Sequence, residues 1–308
     1  MVFSALPPTA AAFAASAGSA ASAGHPHAGA PTLDALILAA AGLALFLYIA
    51  AAVASRRGGR PWPWHRVGCW CAGVVAAVVA VVGPVADAAH GDFVMHMWAH
   101  LLIGMLAPLL LVLAAPVTLA LRTLSVTPAR RLSRLLRSGP ATVIAHPVTA
   151  LVLSAGGLWV IYRTTVFGAM HANPLLLLVV HAHLLLAGYL FTAALIGLDP
   201  APHAPRRTVQ AVVLVLAMAS HAVLAKTLYA FPLAGVPVAS AHEGAQLMYY
   251  AGAFVEAAII VVFCAQWYRA AGRRVVPGEA APGQASPGHT AGRLPARAST
   301  AVTSRSAG

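Results

Sequence analysis

Charge is what this sequence has least of. Only 8% of its 308 residues are Asp, Glu, Lys or Arg, against a 60% hydrophobic share and a mean hydropathy of +0.81. A soluble domain carries about 25% charged residues, so a water-soluble globule is excluded. Acidic residues are the rarest: 7, against 19 basic ones, for a formal net charge of +12. That excess does not mark a nucleic-acid binder, because the arginines lie between apolar runs and no basic face is interleaved with aromatics. Cysteine is nearly missing. Cys69, Cys71 and Cys264 form an odd set without dense spacing, which excludes a disulfide framework. The "CWC" pair falls on a helix, where two sulfurs two residues apart diverge, so a shared metal there is not expected. There is no Ser/His/Asp triad, no phosphate-cradling glycine loop, no nucleotide fingerprint and no internal repeat. The chain reads as something other than an enzyme.

What is abundant is long apolar sequence. Seven runs can cross a bilayer, which takes about 20 residues: 33–54, 67–86, 93–121, 141–162, 174–197, 208–230 and 242–268. Only helix satisfies the backbone of such open segments in hydrocarbon. The expected fold is therefore an all-α membrane protein of seven transmembrane helices over 33–270. A weakly ordered leader precedes it (1–32), and a disordered, basic, Gly/Pro/Ser-rich tail follows (271–308). The leader lacks the positive n-region and apolar core of a secretory signal. The third run exceeds one straight crossing, and Pro108 and Pro116 are expected to kink or end it. Thr127-Pro128 opens a short amphipathic run closed by Gly139, with Leu132, Leu135 and Leu136 facing away from the arginines. It reads as an interfacial helix against membrane lipids.

Arginines sort the loops. Arg56, Arg57, Arg60 and Arg66 cluster after the first run, Arg122 to Arg137 after the third, Arg206 and Arg207 after the fifth, and six more beyond the seventh. The alternate loops hold only Arg163. Positive residues stay cytoplasmic, so the N-terminus is expected outside and the C-terminus inside. Trp62, Trp64, Trp70, Trp267 and Tyr268 then mark the inner interface, and Trp98, Trp159, Tyr162 and Tyr229 the outer one.

Histidine in hydrocarbon is costly unless partnered, yet four spans carry it in the same outer half. With a rise of 1.5 Å per residue, His96 lies at about 5 Å depth, His100 and His181 at about 10 Å and His221 at about 13 Å. His183 is slightly deeper than His181, and His242 begins the seventh run. His96 and His100, four apart, share a face. His181 and His183 are about 200° apart around a helix, so one of them is expected to bond a neighbouring helix or a carbonyl. Met218 shares a face with His221, and Met95, Met97, Met105 and Met248 lie in or near the same zone. Thioether plus imidazole suits Cu(I). The candidate metal ligands are His96, His100, His181 and His221, with His183, His242 and Met218 weaker.

Glu256 is the only acidic residue deep in a span and needs a partner or a proton, while Lys226 can snorkel outward. Asp87, His90 and Asp92 form an acidic, histidine-bearing outer loop. His146 reads as a packing residue, and Gly156-Gly157 as a close helix approach. His25 and His27 in the leader make a poor site.

The stretch "HMWAHLLIGMLAPLLLVLAAPVTLALR" (His96 to Arg122) resembles the third helix of the multi-spanning cytochrome c oxidase assembly factors of the CtaG type, associated with caa-type oxidases. "HPVTALVLSAGGLWVIY" is similar to the family's fourth helix, "HAHLLLAGYLFTAALIGLDP" to its fifth, and "GAQLMYYAGAFVEAAIIVVFCAQWYR" to the last helix of actinobacterial-type members. Thr192 to Leu195 stand where many members carry tryptophan and proline. His242, Glu243 and Gln246 stand where many have Asp-Gln-Gln. The resemblance, over about 33–270, implies a multi-pass protein of the bacterial plasma membrane. It would assist maturation of a haem–copper oxidase, with oxidase subunits as partners and Cu(I) delivered to the buried copper site. Two other readings stay open: a haem b electron-transfer protein with two of these histidines as axial ligands, and a copper-uptake or resistance permease.

Overall fold

The computed structural model describes residues 30–199 and 206–275. Most of the expected leader and tail therefore lie outside the described residues. Every regular element among those described is helical: α1 (Ala30–Arg57), α2 (Trp64–Val81), α3 (Pro84–Ala89), α4 (Phe93–Leu101), α5 (Ala107–Leu113), α6 (Pro116–Thr123), α7 (Val126–Leu136), α8 (Gly139–Ile144), α9 (Pro147–Leu151), α10 (Gly157–Arg163), α11 (Val166–Ala172), α12 (Pro174–Ile196), α13 (Arg207–Ala230) and α14 (Val238–Val275). Six helices are long and apolar enough to cross a membrane, and the bent pair Pro147–Arg163 and Val166–Ala172 brings the number to seven if it is counted as one span. The chain is a multi-pass membrane protein. Leu36 and Phe46 on α1, each 67% exposed, show the apolar outside such a protein turns to lipid.

Two boundaries differ from the hydropathy reading because of proline, and the seventh run is longer at both ends, Val238–Val275. The second run stops at Val81, since Gly83 takes φ 86° and Pro84 starts the separate helix α3. The fourth begins at Pro147 rather than near 141. The residue before a proline is driven out of the α region, and His146 sits extended at φ −69°, ψ 135°. Its Nδ1 accepts a hydrogen bond from Val148 N at 3.3 Å, so His146 is a helix cap. At the far end the chain turns by 77° between Arg163 and Val166, laying α11 across that end of the bundle.

The third run stays one long helical span, Phe93–Thr123, with two irregularities. Residues Leu102–Leu106 form a π turn: Ala107 N–H donates to Leu102 O, five residues back. It lies one turn ahead of Pro108, which cannot donate to Gly104 O. At Ala115 the backbone becomes left-handed (φ 51°) before Pro116 restarts the helix. The Ala114 carbonyl beside this break accepts a hydrogen bond from Tyr48 Oη at 2.8 Å. Trp62 Nε1 donates to the same hydroxyl at 3.0 Å, under the guanidinium groups of Arg66 and Arg122. Trp62 is therefore buried rather than displayed at an interface. A second π turn, Val152–Gly156, separates α9 from α10.

The interior stacks in three clusters. One, at the end bearing residues 82–92 and 164–173, gathers Met97, Ile103, Tyr162, Leu184, Leu224 and Met248. A second gathers Leu109, Val112, Leu195, Ile196, Val213 and Phe263 toward the arginine-bearing loops. The Trp62 group is the third. The candidate histidines belong to the first end, called the histidine end below.

Candidate functional site

Among the described residues, six histidines line two separate cavities between the helices. The inner one, of about 70 Å³, is bounded by α4, α12, α13, α14 and the two π turns, with His100, His221, Glu256, Met105 and Met218 in its wall. The outer one, of about 650 Å³, is lined by His90, His96, His171 and His181 together with Asp34 and Asp87. They share no lining residue.

In the inner cavity His221 Nδ1 lies 3.1 Å from Glu256 Oε1. With the carboxylate ionised and the imidazole neutral, the proton of this contact sits on Nδ1 and the lone pair is left on Nε2. Among the described residues that Nε2 has no hydrogen-bond partner, and neither do Nδ1 and Nε2 of His100, all three being buried. Unpartnered buried nitrogens are rare because each costs about 1–3 kcal/mol. The two ring centroids are 6.4 Å apart. Metal–nitrogen bonds are about 2 Å long, so one small ion between facing imidazoles sets their centres roughly 6 Å apart. The donor set of two imidazoles with thioethers in the same wall fits a soft monovalent ion. Glycine permits the approach: a Cβ on Gly252 of α14 would come within 2.5 Å of His221 Cε1.

His96 and Tyr162 separate the two cavities. Tyr162, expected at an interface, is 1% exposed. Its ring centroid is 6.0 Å from those of both His96 and His100. Its hydroxyl shares a hydrogen bond with His96 Nε2 at 3.1 Å and reaches Met97 Sδ at 3.8 Å. His96 and His100 share a helical face, as their spacing implies, but each wets a different cavity.

His181 lines the outer cavity and not the inner one. Its neighbour on the opposite side of α12, His183, is taken up by Leu153 O at 3.1 Å, where Gly157 leaves room that a Cβ would fill. His242 stacks on Tyr229, with centroids 4.1 Å apart, and lines neither cavity. Asp92 is a structural cap: its Oδ1 accepts from Val94 N at 2.9 Å and from Ser240 Oγ at 3.0 Å. Lys226 rests over the Tyr249 ring at 5.4 Å. Among the described residues, no three His, Cys, Asp or Glu side chains form one metal-binding group, so any ion held here takes few protein ligands.

Two residues beside the cavities, His171 and Tyr162, and one structural cap, Asp199, were not legible as such. His171 lies in the short, non-spanning α11, but its ring is 5.5 Å from that of His96. Tyr162 carried only an interface signature. Asp199, within the "GLDP" stretch, accepts from Thr118 N at 2.8 Å, Thr118 Oγ1 at 2.7 Å and Val117 N at 3.4 Å, capping α6 from across the bundle.

Comparison with known proteins places this architecture. The family model described as "Cytochrome c oxidase caa3 assembly factor" matches residues 46–270. An uncharacterized protein of Mycobacterium leprae is 36% identical over 179 residues, covering 55% of this chain and 27% of that protein. Uncharacterized proteins of Mycobacterium bovis and Mycobacterium tuberculosis are each 38% identical over 177 residues, covering 54% of this chain and 26% of theirs. The chain thus spans about a quarter of the length of these relatives. No solved structure matches it significantly.

Proposed function

Because this chain belongs to the cytochrome c oxidase caa3 assembly factor family, we propose that it acts in the bacterial plasma membrane as a non-catalytic carrier, passing Cu(I) to the buried copper site of a haem–copper oxidase catalytic subunit. The observation that carries this reading is the His100–His221 pair: three buried imidazole nitrogens without protein partners, one ring oriented by Glu256. A carboxylate fixing the tautomer of a histidine whose other nitrogen faces a cavity is the arrangement that metal-ligating histidines use. Met105 and Met218 in the same wall supply the soft donors that favour Cu(I) over harder cations. Few protein ligands suit an ion that must be released to a client.

The rival readings have less support. Sites for organic cofactors occupy about 300–1,000 Å³; the inner cavity, at about 70 Å³, leaves no space for a haem between His100 and His221, and His100 and His181 open into different cavities and so do not face one haem together. A permease needs a polar route onward. Beyond the inner cavity the interior toward the arginine-bearing loops is the apolar cluster of Leu109, Val112, Leu195 and Ile196.

The test is Cu(I) stoichiometry on the purified full chain. The double variant His100→Ala/His221→Ala is expected to lose one bound equivalent and to fail to restore oxidase assembly in a deletion strain. Equal binding and equal rescue by wild type and variant would end the proposal.

A further inference from the structure

The geometry points to a second cation site, in the outer cavity, formed by Nε2 of His90 and Nε2 of His171 as the loading position for Cu(I). His90 closes α3 and His171 lies in the last turn of α11, so two short helices outside the crossings bring the rings together, 6.3 Å between centroids. Each ring is oriented in the same way. His90 Nδ1 donates to Ala86 O at 2.8 Å, and His171 Nδ1 donates to Phe167 O at 2.7 Å. A carbonyl only accepts, so each Nδ1 carries a proton, and in the neutral ring the lone pair is on Nε2. A backbone carbonyl that accepts the N–H of one ring nitrogen and so fixes the tautomer is common among metal-bound histidines.

A histidine bonded to its own helix is by itself an ordinary way to satisfy one ring nitrogen. Two such rings in one cavity, with His96 5.5 Å from His171 and His181 in the same wall, need a further reason. Asp34 and Asp87 also line this cavity and make it attractive to cations in a chain that is otherwise strongly basic. Exposure falls in order: His90 is exposed, His171 and His181 are half-buried, and His96 and His100 are buried. An ion held by His90 and His171 would therefore be accessible to donors in solution and one ring away from His96. No step beyond ligand exchange is required. As a loading position for the same cargo, the site rests on the carrier reading above, but its binding chemistry does not.

The experiment is an anaerobic Cu(I) titration of the detergent-extracted full chain against a chromophoric Cu(I) chelator. It compares wild type, His90→Gln, His90→Ala/His171→Ala and His100→Ala/His221→Ala, with helicity and melting followed in parallel. Wild type is expected to bind two equivalents. The His90/His171 double variant should keep the inner one and lose the outer one, and the single His90→Gln, at an exposed position, should weaken the outer one about tenfold or more. The His100/His221 variant should retain the outer equivalent, with imidazole scattering in its copper X-ray absorption spectrum. Outer-site binding that persists unchanged in both folded His90 variants would overturn the proposal, as would Zn(II) but not Cu(I) occupying it. Loss of inner binding or of oxidase rescue, with the outer equivalent intact, would remove the carrier reading and leave this site standing.

Discussion

Glu256 Oε1 meets His221 Nδ1 at 3.1 Å, joining α14 to α13 at the wall of the inner cavity. The pair determines which nitrogen of His221 faces the cavity. Glu256→Gln removes the charge but not the shape. Cu(I) affinity at the inner site is expected to fall about 10- to 100-fold, the usual cost of losing an orienting partner. The melting temperature should change little, because Gln keeps the shape and an acceptor oxygen for His221 Nδ1. A competition titration paired with a thermal melt reads both; unchanged affinity would mean that Glu256 serves packing alone.

Gly252 and Gly42 make a matched pair. A Cβ at Gly252 would press on His221 Cε1, whereas at Gly42 it would meet nothing within 4 Å. Gly252→Ala should cost about 1–3 kcal/mol through overpacking and weaken inner-site Cu(I) binding. Gly42→Ala in α1 should be neutral or stabilising by up to about 1 kcal/mol. Melting curves in detergent distinguish them, and equal behaviour would refute the close approach.

Tyr162→Phe deletes the hydroxyl that His96 Nε2 shares and strands a buried nitrogen. Stability should drop by about 1–3 kcal/mol while inner-site stoichiometry stays at one. Loss of the inner equivalent instead would show that Tyr162 shapes that cavity directly.

Asp199→Ala should destabilise the fold by about 0.5–2 kcal/mol, the usual cost of losing a helix cap, since Thr118 and Val117 would lose their acceptor. Cu(I) binding should not change, because Asp199 lines neither cavity.

Orientation can be read by labelling. In a variant without Cys69, Cys71 and Cys264, Gly91→Cys is expected to react with a membrane-impermeant maleimide on intact cells, and Thr127→Cys only after the membrane is opened. The arginine bias predicts this order. The reverse order would put the histidine end in the cytoplasm and require a cytoplasmic copper donor.

Hydropathy made the crossings legible, because apolar length in a nearly charge-free chain leaves few alternatives. It missed the ends of the second and fourth spans, where Gly83-Pro84 and Pro147 act through backbone geometry rather than polarity. Depth along a helix was readable by counting. The direction a ring takes between helices was not: His100 and His181 count to the same level but open into different cavities. The divergence of His181 and His183 followed from spacing alone, and the receptor for His183 proved to be Leu153 O, at a π turn that no periodicity rule anticipates. His171 escaped notice because its relevance depends on the 77° turn that folds α11 back over the histidine end.

That π turn has a counterpart at Leu102–Leu106, and each holds one residue more than an α turn would. Removing one residue from Leu102–Leu106 would let the helix close in regular register and swing everything before it by about 100° relative to everything after. His96 and His100 are thus aimed by a slip joint that contains no histidine. A related chain one residue shorter there would keep its hydropathy profile and its HxxxH spacing, yet point both rings at a different neighbour.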